Sequence, residues 1–173
     1  LQHAREQVQQ RGLADRAQLV CADGLNALTE KTGCVSITGM GGRTMADILQ
    51  KGAARLQGAA LVLSAHTDQA LVRRAVQQLG YHLTAERLCR AAGRFYLVWK
   101  AIPGAQAMGE DELALGTQLL LESRDPLLPE YLRWRQWVLE RKLAGLEHDA
   151  QNRAGEVEAL RRQLGILRRN DAC

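Results

Sequence analysis

Three glycines in four residues, Gly39-Met40-Gly41-Gly42, stand between an apolar run at 34–38 and a helical stripe of Met45, Ile48, Leu49 and Leu56. A short apolar run passing directly into spacings of three and four reads as a buried strand turning into an amphipathic helix. Glycines at such a junction permit a sharp turn, let a ligand approach the main chain and leave amide donors free. The same pattern recurs downstream, where a strand at 60–64 leads to a helix at 69–79 that stops at Gly80.

The flanking segments extend this pattern. Leu1, Ala4 and Val8 share a helical face that ends at Gly12, 17–22 reads as a short apolar strand closed by Asp23-Gly24, and 25–30 supplies a helical turn or two. Runs at 81–88 and 95–101, separated by a turn containing Gly93, predict an antiparallel hairpin. Strand and helix alternate until that hairpin, so the expected fold class is α/β, a mostly parallel sheet with an antiparallel edge. Pro103-Gly104 breaks the chain, and strand character ends there. After Leu128 the spacing is helical: Leu132, Leu139 and Leu146 recur every seven residues, and Val157, Leu160, Leu164 and Leu167 alternate threes and fours. With a polar turn at 148–153, these two stripes predict an α-helical hairpin, or short coiled coil.

Three units follow: a sheet-bearing part at 1–103, an acidic connector at 104–127 and the helical hairpin at 128–173. Formal charge divides unevenly among them, +6, −4 and +2 respectively. A first unit at +6 suits a polyanionic partner. The 173 residues, 46% hydrophobic and 24% charged, exclude a disordered or fibrous chain. No apolar run approaches the ~18 to 20 residues that cross a bilayer, and the polar, amphipathic start is no secretory leader. Cys21, Cys34, Cys89 and Cys173 lie far apart without metal-ligand spacing, so we expect reduced cysteines, no metal and a cytoplasmic location, with Cys21 and Cys34 as buried filler in strands.

Parallel α/β sheets bind ligands beyond the carboxyl ends of their strands, which directs attention to Asp23-Gly24, 39–43 and 64–68. A carboxylate at Asp23 can accept a hydrogen bond from the exocyclic amine of an adenine lying on Gly24 and Leu25, although Asp-Gly is also an ordinary turn. Gly39, Met40, Gly41 and Gly42 can border a reacting group with their main chain. Gly39-x-Gly41-x-x-Thr44, with Asp68 further on, is also nearly a dinucleotide fingerprint, which keeps a nicotinamide-dependent oxidoreductase open. His66 could touch a substrate base or serve as a hydrogen-bonded structural residue. Arg43, at a helix start, could meet phosphate, whereas Arg73 and Arg74 are expected on a solvated helix face. Trp134 and Trp137, interleaved with Arg133 and Arg135, could stack on RNA bases, but packing against the sheet is the expected use. A docking module without catalysis is the remaining alternative.

Ala-Asp-Gly-Leu at 22–25, Thr-Gly-Met-Gly-Gly at 38–42, then a strand, an edge hairpin and a coiled tail resemble the bacterial tRNA adenine-N1 methyltransferase family. The resemblance runs nearly end to end. It implies a Rossmann-like class I methyltransferase sheet, S-adenosyl-L-methionine as cofactor, tRNA as partner and methyl transfer to adenine N1. It also implies Asp23, Gly24, Leu25 and Gly39 at the cofactor, 39–42 at the reacting methyl and base, and Arg43 and His66 toward the substrate. In two places the chain departs from the family. The family's first two strands have no counterpart before Leu1, so at ~30 residues per βαβ unit on the order of 50 residues are expected to be absent. The chain thus reads as an N-terminally truncated piece, inactive alone, whose missing strands would lie between 17–22 and 34–38. Where the family tends to have Gln-Pro-Asn, this chain has Ser64-Ala65-His66.

Overall fold

The structure is a computed structural model that describes residues 1–146 and 152–171. After a helix α1 (Gln2–Gln10), four strands form one sheet: β1 (Cys34–Met40), β2 (Ala60–Ala65), β3 (Tyr81–Ala91) and β4 (Arg94–Pro103), in the order β1-β2-β4-β3. β1 and β2 pair in parallel, while β4 is antiparallel to both β2 and β3. Three strands therefore run one way and β4, inserted between β2 and β3, runs against them. The predicted hairpin is present, with the last strand inside and β3 at the edge. Its two-residue turn, Ala92-Gly93, takes positive φ at both positions (47° and 72°), the primed turn whose twist matches paired strands.

One sheet face is covered. Cross-strand partners share a face, and Val35 with Leu61, Ile37 with Leu63, Leu63 with Trp99, and Leu61 with Ala101 are paired and buried. Over them lie α2 (Gly42–Lys51), α3 (Ala53–Leu56) and α4 (Gln69–Gln78), contributing Met45, Leu49, Leu56, Val72 and Val76 to the same core. On the other face of β1, Cys34, Ser36 and Thr38 are exposed.

Two expectations for the amino-terminal third are corrected. Residues 17–22 form no strand; Ala17 (φ −131°, ψ 121°) is extended, but a strand needs a hydrogen-bonded neighbour and no described segment pairs with this one. Cys21 and Cys34 are exposed, not buried filler, as is Cys89. For Cys34 the reason is parity: burial alternates along β1, and the buried set is Val35 and Ile37. Cys173 and positions 148–151 of the predicted turn lie outside the described residues.

Between Pro103 and the carboxy-terminal hairpin the chain packs against the sheet. It forms α5 (Glu110–Leu115) and α6 (Gln118–Leu121), and buries Met108, Leu113, Leu115 and Leu120. α7 (Leu128–Leu146) and α8 (Ala154–Asp171) then pair through the predicted stripes, with Leu132, Leu139, Leu146, Val157, Leu160, Leu164 and Leu167 all buried. Ion pairs Lys142–Glu156 (3.0 Å) and Arg168–Glu140 (3.0 Å) flank that seam, and Arg162–Asp111 (2.9 Å) ties α8 to α5.

Sheet and tail meet at a buried carboxylate. Glu86 on β3 is 0% exposed and Arg73 on α4 is 1% exposed, so Arg73 does not lie on a solvated face as its sequence context suggests. Glu86 Oε1 accepts from Trp99 Nε1 (2.7 Å) and from the Arg73 guanidinium, and Oε2 accepts from the Thr117 amide and hydroxyl (both 2.8 Å). Arg73 also donates to the Leu113 carbonyl (2.8 Å) and lies over the Trp99 ring at 5.2 Å. Arg74, one position on, is half-exposed and pairs with Glu110 at 2.8 Å.

Burial pushes the Glu86 pKa up, but the Arg73 charge and the bonds from Arg73, Thr117 and Trp99 outweigh it, holding the carboxyl below its ordinary 4.5. A depressed folded-state pKa contributes stability that is complete above 4.5 and is lost as pH falls through the lowered value. Removing one partner leaves a buried charge alone, so Arg73→Met should cost about 3–5 kcal/mol in urea unfolding at pH 7. The double variant Arg73→Met with Glu86→Leu should recover part of that loss.

Candidate functional site

The carboxyl ends of β1 and β2 lie side by side, and their loops are joined by main-chain hydrogen bonds. The His66 amide donates to the Met40 carbonyl and the Gly42 amide donates to the Thr67 carbonyl, both at 3.0 Å. A register shift between Thr38 and Met40 opens this end of β1, with Gly39 at φ 79°. Gly41 is extended (φ −71°, ψ 150°) and caps α2.

The three glycines have different physical reasons. A side chain on Gly39 would point into open space, so only its left-handed backbone favours glycine. Gly42 is buried, and a Cβ there would come within 2.5 Å of the Thr67 and Asp68 carbonyl oxygens. Its role is to let α2 start directly beneath the β2 loop. Gly41 is tight only against the Thr67 hydroxyl, at 3.2 Å.

The second wall is Asp23-Gly24. Asp23 is extended (φ −81°, ψ 125°), Gly24 turns at φ 53°, and a short 3-10 turn follows over Gly24–Ala27. Leu25, buried, anchors this turn against Gly52, whose bare Cα at the break between α2 and α3 receives it; a Cβ on Gly52 would lie 2.7 Å from Leu25. Asp23 sits at the N-cap position but its carboxylate makes no cap hydrogen bond. It is exposed.

Between these walls lies a cleft of about 470 Å³, bordered by Gly24, Leu25, Ser36, Met40 and Ile48, within the range of small-molecule sites. It adjoins a second cleft of about 280 Å³ that Asp23, Asn26, Thr44 and Lys51 border and that shares Gly24, Leu25 and Ile48. The structure therefore brings Asp23, Gly24, Leu25 and Met40 together, whereas Gly39, Gly41, Gly42, Arg43 and His66 stand outside both linings. Arg43 is exposed on the first turn of α2. His66 is exposed, and its ring meets Tyr96 edge-on at 5.5 Å.

Sequence reading missed Ile48, Ser36 and Tyr96. Ser36 carried a signal as the polar member of an alternating strand, whereas Ile48, apolar like its stripe neighbours, carried none, since only the structure leaves it half-buried. Asp68, the acidic residue of the dinucleotide reading, accepts from the Thr67 hydroxyl at 3.0 Å, and Thr44 faces the smaller cleft rather than the strand. Among the described residues no cluster of three or more His, Cys, Asp or Glu could hold a metal ion, and no helix is long and apolar enough to cross a membrane.

The model of one family, tRNA (adenine(22)-N(1))-methyltransferase, matches residues 1–167. Among solved structures, Streptococcus pneumoniae Sp1610 superposes with a TM-score of 0.79 at 25% identity, over 94% of this chain and 76% of that one. The same protein in complex with S-adenosyl-L-methionine gives 0.82 at 24% identity, over 98% and 75%. The B. subtilis m1A22 tRNA methyltransferase gives 0.80 at 20% identity, over 97% and 76%. No curated protein matches the sequence.

Two glycine substitutions separate packing from conformation at this site. Gly42→Ala must displace the 67–68 main chain and should destabilise by about 1–3 kcal/mol. Gly39→Ala meets no atom and should cost only the left-handed backbone preference, about 1–2 kcal/mol. Paired thermal melts measure both.

Proposed function

Because the chain belongs to the tRNA (adenine(22)-N(1))-methyltransferase family, we propose that its two clefts hold S-adenosyl-L-methionine and that methyl transfer to N1 of a tRNA adenine takes place at their Met40 side. The observation that carries this reading is the Asp23 carboxylate, which caps nothing and stands beside Gly24 at the junction of both clefts. An acceptor left unused next to a left-handed glycine suits the exocyclic amine and flat ring of an adenosine. Leu25 and Ile48 supply an apolar surface for that ring, and Ser36 and Met40 close the far wall.

Bound there, S-adenosyl-L-methionine supplies a methyl group on a sulfonium, ready for attack. The residues have positioning and shielding left to do. Adenine N1 carries a lone pair at neutral pH, so no side chain need remove a proton before attack, which agrees with a cleft that presents no histidine. Met40 borders the reacting centre, with Gly39 and Gly41 shaping the main chain on either side of it and Gly42 holding α2 beneath; alignment of nucleophile, carbon and leaving group is where the rate is gained. His66, braced on Tyr96, and Arg43 flank the entry, the first toward the base and the second toward phosphate. N1 lies on the pairing edge, so a paired target must leave its helix.

In this reading residues 1–103 form the catalytic portion, 104–127 bind the sheet to the tail, and the hairpin at 128–173 contributes to RNA binding. The protein acts in the cytoplasm, where tRNA is its substrate. The basic first unit meets phosphate, and affinity should fall steeply with salt.

The test is incubation of the full-length protein with labelled S-adenosyl-L-methionine and unmodified tRNA, followed by mapping of the modified base. Label at adenine N1 is the expected result; absence of label in any tRNA ends the reading. Asp23→Ala should weaken S-adenosylhomocysteine binding by roughly 10- to 100-fold in calorimetry, the loss of one charged hydrogen bond. S-adenosyl-L-methionine, and not NAD, should raise the melting temperature.

A further inference from the structure

Helix α7 carries its two tryptophans on the face opposite its packing seam. At about 100° per residue, Glu130, Trp134, Trp137 and Arg141 line up roughly 180° from Leu132, Leu139 and Leu146. That is where a hairpin helix ordinarily places charged residues. Trp137 is nevertheless 52% exposed and Trp134 39% exposed, so packing against the sheet engages Trp134 only in part and does not account for Trp137. The Arg141 guanidinium lies over the Trp137 ring at 5.0 Å. Trp134 is held upright by Phe95 (5.7 Å) and Tyr131 (5.8 Å), an aromatic support that fixes its plane.

The surroundings are basic. The tip of the β3–β4 hairpin carries Arg90 and Arg94 with no acidic residue over 87–94, and α7 adds Arg133 and Arg141. Of the two acids of α7, Glu130 lies on this face and is neutralised by Arg90 at 2.7 Å, and Glu140 points away and pairs with Arg168 at 3.0 Å. A second copy of this chain would bring like charges together here. A polyanion with flat, unstacked rings matches both features, since every base offers a face for stacking and a phosphate for arginine.

The surface stands at the same end of the sheet as the candidate site. Phe95, which supports Trp134, directly precedes Tyr96, which braces His66, and both stand at the sheet end where β1 and β2 terminate. We propose that Trp137 and Trp134, with Arg141 and the arginines of the hairpin tip, form a stacking platform for an unpaired tRNA nucleotide other than the target adenine. This rests on the methyltransferase reading and adds a specific contact to it.

The test uses full-length protein and an unmodified tRNA transcript. Trp137→Ala should raise the tRNA Kd roughly 5- to 100-fold, as the loss of one stacked base does, and Trp137→Phe should restore most of the affinity. S-adenosylhomocysteine affinity and melting temperature, measured on the same variants, should stay at wild-type values. Stacking releases no counterions, so the slope of log K against log salt should be unchanged in Trp137→Ala, and Arg94→Ala should make it shallower. An unchanged tRNA Kd in Trp137→Ala, while the wild type methylates that tRNA, overturns the platform and leaves the enzyme reading standing. Loss of a wild-type dimer in Trp137→Ala overturns it too, since the face would then bind a second copy. No methylation by the wild type defeats the underlying reading instead.

Discussion

A carboxylate in the core is costly unless each of its lone pairs is answered, and Glu86 is answered from three directions. Arg73 comes from α4, Trp99 from the neighbouring strand, and Thr117 from the turn between α5 and α6. The two oxygens divide the work: Oε1 is used by the sheet and its covering helix, and Oε2 by the segment that leads to the tail. Apolar residues of equal volume could stabilise this core as well. What they could not do is demand one register between β3, α4 and residues 113–117, because dispersion forces have no preferred direction. The network therefore helps to fix residues 113–117 on the sheet, alongside the bonds from Leu83 to Gln106 and from Leu88 to Asp125.

The crest at the other end of the sheet depends on a smaller device. Parallel strands joined through a helix end at the same edge, but their loops still have to be brought into contact. The bulge at Gly39 and the missing side chain at Gly42 permit this, so that the main chain after β2 hydrogen-bonds the main chain after β1. Gly52 does the corresponding task for the other wall, receiving Leu25 and so holding Asp23-Gly24 beside α2. The cleft is thus built from positions where a side chain is absent as much as from those where one is present.

Local periodicity made β1, β2, α4, the hairpin and both tail helices legible, since each buries one face in a repeating pattern. It failed where the deciding contact was distant. Residues 17–22 have strand composition, yet pairing is a property of two segments and no described segment adjoins them. Glu86 was illegible for a subtler reason. The register slips between Leu83 and Ala85, so the inward set changes from Tyr81 and Leu83 to Glu86 and Leu88. An apolar Leu88 at the wrong parity was the available sign of that slip. Nothing in the local pattern marked Glu86 as an inward carboxylate, so Arg73 had no visible partner and was expected on a solvated helix face. At the site, Met40 was picked out as the end of a strand, where such sheets bind ligands, whereas Asp23-Gly24 was picked out as the end of a strand at 17–22 that does not form, and Leu25 only by the resemblance. Tyr96 and Ile48 depended on side-chain packing, which topology does not specify.

The β3–β4 hairpin links these levels. Consecutive strand residues point to opposite faces, so Phe95 supports Trp134 on one side of the sheet while Tyr96 braces His66 on the other. The separation between the crest and the aromatic face of α7 is then governed by a single pleat and by a two-residue turn in which Ala92 accepts a left-handed backbone. Below the turn, the same two strands carry Glu86 and Trp99, paired directly across the ladder and locked to the tail. The hairpin is thus fixed at its base and closed by a two-residue turn at its tip. A nucleic acid held on the α7 face would in consequence be related to the strand ends through the sheet and not through the long helices.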